Sequence, residues 1–224
     1  MHARAPRRFV RTTDSRHGFA LAPNLLGQRF EAPAPNRVWL ANITYVATDQ
    51  GWLYVALVMD LFSRKFVGWA MSAKIDGELT RSALRLALGT RRPGRQLLHH
   101  SDRGAQYCAT AYRRQLADAG ITVSMSRRAD CYDNAPMESA NGTLKVERVH
   151  DRHYATRQQA IDDLTAYFGY YNTERRHSAL AYLSPAEFER RWHARPNGTS
   201  ARDPSYPPSG ALRPSQATPA PAHG

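Results

Sequence analysis

The chain is short of cysteine, of acidic residues and of long apolar runs, and each shortage removes a class of function. Its 2 cysteines, Cys108 and Cys131, cannot form the paired ligand clusters of a structural zinc site, and its 9 histidines follow no finger spacing. Most of those histidines are expected on the surface, and both cysteines read as ordinary packing or loop residues rather than a disulfide. No segment approaches the ~20 consecutive apolar residues of a membrane helix. The opening Met1-His2-Ala3-Arg4-Ala5-Pro6-Arg7-Arg8 is basic but lacks the apolar stretch of a secretory signal. A cytoplasmic protein is the expectation. The 19 Asp and Glu face 31 Lys and Arg, a net charge of +12, which favours a polyanionic partner and fits nucleic acid before a membrane.

What is present divides the 224 residues into three parts. Residues 1 to about 30 are Arg-rich and irregular, interrupted by Pro6, Pro23 and Gly27. From Pro196 onward the chain holds half of its 14 prolines and almost no large apolar residue, a composition expected to stay disordered. Between them the hydrophobic period is readable. Val38 to Val46, Trp52 to Asp60 and Lys65 to Met71 read as an antiparallel three-strand meander turning at Thr48-Asp49-Gln50-Gly51 and Leu61-Phe62-Ser63-Arg64. Asp76 then caps a helix that places Leu79, Ala83, Leu86 and Ala87 on one face. Leu97 to His100 and Ile121 to Met125 are short strands around a helix over Thr110 to Ala119 closed by Gly120. Thr156 with Gln159, and Ser184 with Pro185 and Glu187, open two further helices.

Three segments carry the candidate chemistry. His99-His100-Ser101-Asp102-Arg103-Gly104-Ala105-Gln106-Tyr107 presents an aspartate at a strand end, and Asp130-Cys131-Tyr132-Asp133-Asn134-Ala135-Pro136-Met137-Glu138 presents a glutamate at the mouth of a helix, with 35 residues between Asp102 and Glu138. Asn36 to Tyr45 is a strand whose centre should hold a third carboxylate, yet the residue there is Asn42. With Val58 to Trp69, the helix Glu138 to Lys145, Tyr170-Tyr171-Asn172 and Arg176-His177-Ser178, this order and spacing resembles the integrase-like catalytic core of bacterial insertion-sequence transposases of the orfB type, whose signature is D, D, thirty-five, E. The resemblance runs from about Arg7 to Trp192.

It implies a ribonuclease-H-like α/β fold, a five-stranded mixed sheet flanked by helices with a C-terminal helical extension. The domains implied are a basic segment 1–30 left from a DNA-end-binding region, a catalytic core 31–195 and a Pro-rich tail 196–224. The zinc-binding N-terminal module of retroviral integrases is not expected. The activity implied is metal-dependent nicking of element ends and their transfer to target DNA, by a homo-oligomer assembled on DNA, at a site of two Mg²⁺ or Mn²⁺ ions. Two such ions about 4 Å apart are held by hard, negatively charged oxygen ligands.

Asn42, Asp102 and Glu138 are the candidate catalytic and metal-ligating set. Asn42 departs from the family's Trp-x-x-Asp-Ile-Thr-Tyr, and its neutral oxygen removes one negative charge. A hairpin turning near Asp49 and Gln50 puts Leu57 opposite Asn42 and leaves Asp60 ~10 Å along the strand, too far to replace it. The residues expected to contact DNA are Lys145, on the Glu138 face of its helix, with Arg103, Gln106, Asn141 and Arg176. Asn134 is read as a helix cap, and Tyr171 as a packed aromatic. Two other functions stand beside transposition: a catalytically dead DNA-binding fragment, which Asn42 favours, and a ribonuclease on RNA–DNA hybrids, which the order of the segments disfavours.

Overall fold

The computed structural model describes residues 18, 19, 21–127 and 131–195, with the Cys131 side chain excepted. The expected disordered tail, 196–224, lies outside the described residues, as does most of the basic N-terminal segment.

Runs of β-branched and aromatic residues form β1 (Val38–Thr48), β2 (Gly51–Asp60) and β3 (Phe66–Ser72), paired antiparallel. Gly51, with φ 95, closes the first hairpin, a conformation that glycine adopts without steric cost. The chain then crosses over through α1 (Gly77–Arg91) to β4 (Leu98–Ser101), which pairs parallel with β1. Asp76 caps α1 by accepting from the amides of Glu78 and Leu79, as its position in the sequence indicates. Helices α2 (Ala105–Cys108) and α3 (Thr110–Asp118) lead to β5 (Thr122–Met125), parallel to β4. The result is a five-stranded mixed sheet in the order β3-β2-β1-β4-β5. Helices α4 (Ala135–Leu144), α5 (Arg157–Thr173) and α6 (Pro185–His193) follow it.

The period of two along the strands sorts the core into two layers. Leu40, Leu57 and Met59 face α4, α5 and α6 through Met137, Leu164, Phe168 and Phe188. Trp39, Ala41 and Val58 face α1 and α3 through Leu84, Ala87, Tyr112 and Leu116. Gly68 lets α1 lie flat on β3, because a Cβ there would stand 2.2 Å from the Ala83 carbonyl oxygen. Residues 22–30 also join this packing, with Ala22 and Leu26 buried and the amides of Leu25 and Leu26 donating to Ser124 Oγ. Besides the short 3-10 turns Cys131–Asn134 and Ser178–Leu180, two helical features have no counterpart in the sequence reading. They are the single turn α2 and a π-helical stretch, Lys145–Val149, that widens the end of α4. No helix among the described residues is long and apolar enough to cross a membrane.

Candidate active site

The parallel pairing of β1 with β4 sets the site. Leu40 pairs with His100, so two residues further along both strands Asn42 stands level with Asp102, just past the end of β4, at a strand spacing of ~4.8 Å. Asn42 pairs with Leu57 on its other side, the register expected from the hairpin. Helix α4 completes the arrangement from above the sheet. Its first turn carries Glu138, whose Oε1 accepts a hydrogen bond from Asn42 Nδ2 at 3.1 Å. The fold therefore carries Asn42 and Asp102 at one level of two neighbouring interior strands, with Glu138 on the helix bonded to Asn42.

The chemistry of Asn42 is fixed by its two hydrogen bonds. Its Oδ1 accepts from the Ile43 amide at 2.8 Å, so its amide nitrogen must be the atom that meets Glu138. An aspartate in this rotamer would set a carboxylate oxygen about 3 Å from Glu138 Oε1, an arrangement that is repulsive unless a proton or a cation lies between them. The amide bridges β1 to α4 with a neutral donor. Among the described residues no group of three His, Cys, Asp or Glu side chains is gathered to hold a metal. Two carboxylates and an amide that presents its donor side do not fit a two-ion centre.

The loop before α4 is tied down by a residue that the sequence reading left without a role. The buried Asp133 carboxylate accepts from Asn24 Nδ2 at 2.8 Å, Gln28 Nε2 at 3.0 Å and the Arg127 amide at 2.6 Å, and it pairs with the Arg127 guanidinium at 3.0 Å. The Arg127 side chain, above all, holds its carboxyl well below the usual carboxylate range. Asn134 is the N-cap by position only. It makes no side-chain cap hydrogen bond and instead donates from Nδ2 to the Ala41 carbonyl at 3.2 Å, next to Asn42. The expected capping role is therefore corrected: the side chain straps α4 to β1, and so sets the distance between Glu138 and Asn42.

Below Asp102 lie two buried histidines, exceptions to the expectation that most histidines are at the surface. His99 meets the Tyr112 hydroxyl at 2.9 Å, and His100 sits between Ser124 Oγ at 2.8 Å and Ser126 Oγ at 3.2 Å. Burial pushes their pKa values down to about 3 and about 4, so both rings are neutral struts holding β4 to β5 and α3. Their place at the end of an apolar run was the available signal. Asp60 is also structural: it is buried, in register with Trp39, and accepts from the amides of Asn36 and Phe62.

The candidate DNA-contacting residues surround the site unevenly. Lys145 Nζ lies 4.4 Å from the centre of the Tyr45 ring, three residues past Asn42 on β1. Arg103 donates through Nε to the Ser126 carbonyl at 2.6 Å. Asn141 is buried on α4, and its Oδ1, like Gln106 Oε1, is enclosed without a hydrogen-bond partner among the described residues. Arg176 is exposed, whereas Tyr171 is packed under Phe66, as expected.

An integrase core domain model matches residues 32–131, and a second integrase core domain model matches residues 119–185. The chain is 46% identical over 194 residues to the insertion element IS600 uncharacterized 31 kDa protein of Shigella sonnei, covering 86% of this chain and 71% of that protein. It is 45% identical over 178 residues to the transposase for insertion sequence element IS904 of Lactococcus lactis, covering 79% and 70%. To the InsF transposase of IS3A from Escherichia coli it is 42% identical over 190 residues, covering 84% of this chain and 66% of that protein. Among solved structures, the intasome of simian T-cell lymphotropic virus in complex with the PP2A regulatory subunit B56 gamma superposes with a TM-score of 0.61 at 15% identity, covering 93% of this chain and 68% of that one. The HTLV-2 integrase catalytic core in complex with magnesium gives 0.55 at 14% identity, covering 70% and 97%. Fold and sequence agree: the chain belongs to the insertion-sequence transposases built on an integrase core of ribonuclease-H-like fold.

Proposed function

We propose that this chain is the DNA-processing core of an insertion-sequence transposase in which the strand-cutting centre is incomplete. Asp102 and Glu138 are its two remaining catalytic carboxylates and Asn42 stands in the place of the third. The observation that carries the reading is the hydrogen bond from Asn42 Nδ2 to Glu138 Oε1 at 3.1 Å. It satisfies the glutamate with a neutral donor and leaves two formal negative charges where phosphodiester transfer calls for enough charge to hold two dications. With that ligand set the chain grips DNA through phosphates without cutting it. Lys145, Arg103, Gln106, Asn141 and Arg176 are proposed to make the DNA contacts, DNA and further copies of the chain being the partners. The net charge of +12 supplies the phosphate affinity.

The test is a nicking assay in Mn²⁺ or Mg²⁺ on duplex carrying the element's own ends, together with a preformed substrate that needs only cleavage. The chain as it stands is expected to bind the DNA, with affinity falling steeply as salt rises, and to leave it uncut. Asn42→Asp is nearly isosteric and is expected to nick it. Metal-dependent cleavage by the unmodified chain overturns this reading, and so does salt-insensitive binding.

A further inference from the structure

The residue after Glu138 opens a second surface on α4. Ser139 and Thr143, four positions apart and so on one stripe of the helix, wall a cleft of about 460 Å³ that Arg64, Arg176 and Tyr182 line from other elements. That volume falls within the range of small-ligand sites. The cleft and the carboxylate edge share a helix, and the Cα atoms of Glu138 and Ser139 are ~3.8 Å apart.

The cations of this cleft are not balanced. Arg175 is paired with Glu147, Nε lying 2.7 Å from Oε2, and adds no free charge. His177 is neutral, because burial, with Arg175 beside it, pulls its pKa down to about 4. Arg64 donates to the Phe30 carbonyl at 3.4 Å, and neither it nor the exposed Arg176 meets a carboxylate among the described residues. Burial lowers the pKa of the Arg64 guanidinium, yet such a group stays charged, and a desolvated cation without a counter-charge is unfavourable until an anion joins it.

The backbone of the lining is strained as well. Arg64 and Tyr182 both have φ 60, a left-handed conformation that non-glycine residues adopt infrequently. Tyr182 is held there by its amide donating to the His177 carbonyl at 2.9 Å and by the His177 amide donating to the Leu183 carbonyl at 3.1 Å. This tight loop carries a tyrosine ring that is 70% exposed at the rim.

We propose that the cleft receives one unpaired nucleotide of a DNA strand, its phosphate between Arg64 and Arg176, its base against the Tyr182 ring, and the hydroxyls of Ser139 and Thr143 at its polar edge. The inference rests on the DNA-processing reading above and adds the state of the DNA to it: an end with an unpaired nucleotide. Every base has a face to stack on a tyrosine, so the contact selects unpaired nucleotides rather than a sequence.

The experiment compares a blunt duplex with the same duplex bearing a short 5′-phosphorylated unpaired tail, with 2-aminopurine in the tail, and reads both affinity and fluorescence. The full chain is expected to prefer the tailed end roughly tenfold and to quench the 2-aminopurine. Tyr182→Asn suits a left-handed backbone while removing the ring. It is expected to abolish the quenching, whereas Tyr182→Phe retains it. Arg176→Ala is expected to reduce the preference for the tail more than the affinity for blunt duplex. Equal affinity for blunt and tailed ends, or quenching unchanged in Tyr182→Asn, overturns the cleft and leaves the transposase reading standing. No binding to either duplex overturns both.

Discussion

Two acidic clusters lie three residues apart along β1, and they are built on opposite principles. At Trp39, Asp60 sits with Glu189, Arg91, Lys65 and Ser63. Arg91 reaches Glu189 at 2.6 Å and Asp60 at 3.3 Å, Lys65 reaches Glu189 at 3.0 Å, and Ser63 Oγ donates to Glu189 at 2.8 Å. Burial pushes Asp60 up to about 6 despite Arg91 and the Asn36 amide, while against the effect of burial the Arg91 guanidinium holds Glu189 below its ordinary value. At Asn42, no arginine or lysine among the described residues is bonded to Glu138; an amide is. Cations within the fold satisfy the first cluster and make it a joint between α6, α1 and the sheet. In the second, Glu138 accepts from the Asn42 amide and Asp102 Oδ1 accepts from the Gly104 amide at 2.9 Å, both neutral donors. Counting carboxylates does not separate the two clusters. What separates them is the bonding of the glutamate: Arg91 and Lys65 at Glu189, a neutral amide at Glu138.

The largest effect expected from breaking this contrast is on the joint. Glu189→Ala leaves Arg91 buried without its main partner and is expected to cost about 3–5 kcal/mol in chemical denaturation, with no change in DNA affinity measured below the transition. A loss of DNA binding at unchanged stability would assign Glu189 to the functional cluster instead.

The next effect is at Asp133, which positions the acidic edge without belonging to it. Asp133→Ala strands the amide groups of Asn24, Gln28 and Arg127 and is expected to destabilise the chain by about 2–3 kcal/mol. The sign of its pH dependence follows from the lowered pKa. The contribution is fully present above the unfolded value of 3.8 and is lost as pH falls through the folded value, so the parent should weaken below about pH 4 more steeply than the variant. Parallel acid profiles for the two proteins would show that the Asp133 clasp does not act through its charge.

The smallest effect is at Lys145. Lys145→Ala removes one phosphate contact and a cation–π contact with Tyr45, so the salt slope of DNA binding should fall by about one unit and stability by no more than about 1 kcal/mol. An unchanged slope would mean that the lysine serves only the Tyr45 ring.

Much of the fold is legible in the sequence because its signals are local. Alternation in β1 to β3, the Asp76 and Thr156 caps and the left-handed Gly120 each specify a few neighbouring residues, and the structure places all of them as expected. The carboxylate edge was legible for a different reason: two motifs at a fixed spacing matched a known core. Asp133 and Asn134 were misjudged or passed over because their partners, Asn24, Gln28 and Ala41, lie roughly a hundred positions away, and no local pattern announces so distant a hydrogen bond. The cleft beside α4 joins Arg64, Ser139 and Tyr182 from three parts of the chain, and it too appears only after folding.

The central claim is that the Asn42 amide takes the place of a cation, and thermal unfolding with and without Mn²⁺ tests it most directly. The parent chain is expected to melt at nearly the same temperature in both conditions, since its edge is already bridged. Asn42→Asp sets two carboxylates against each other, so without metal it should melt several degrees lower than the parent, and millimolar Mn²⁺ should raise its melting temperature by several degrees. An equally large Mn²⁺ shift in the parent would contradict the account, as would an Asn42→Asp variant as stable as the parent in chelator and indifferent to metal.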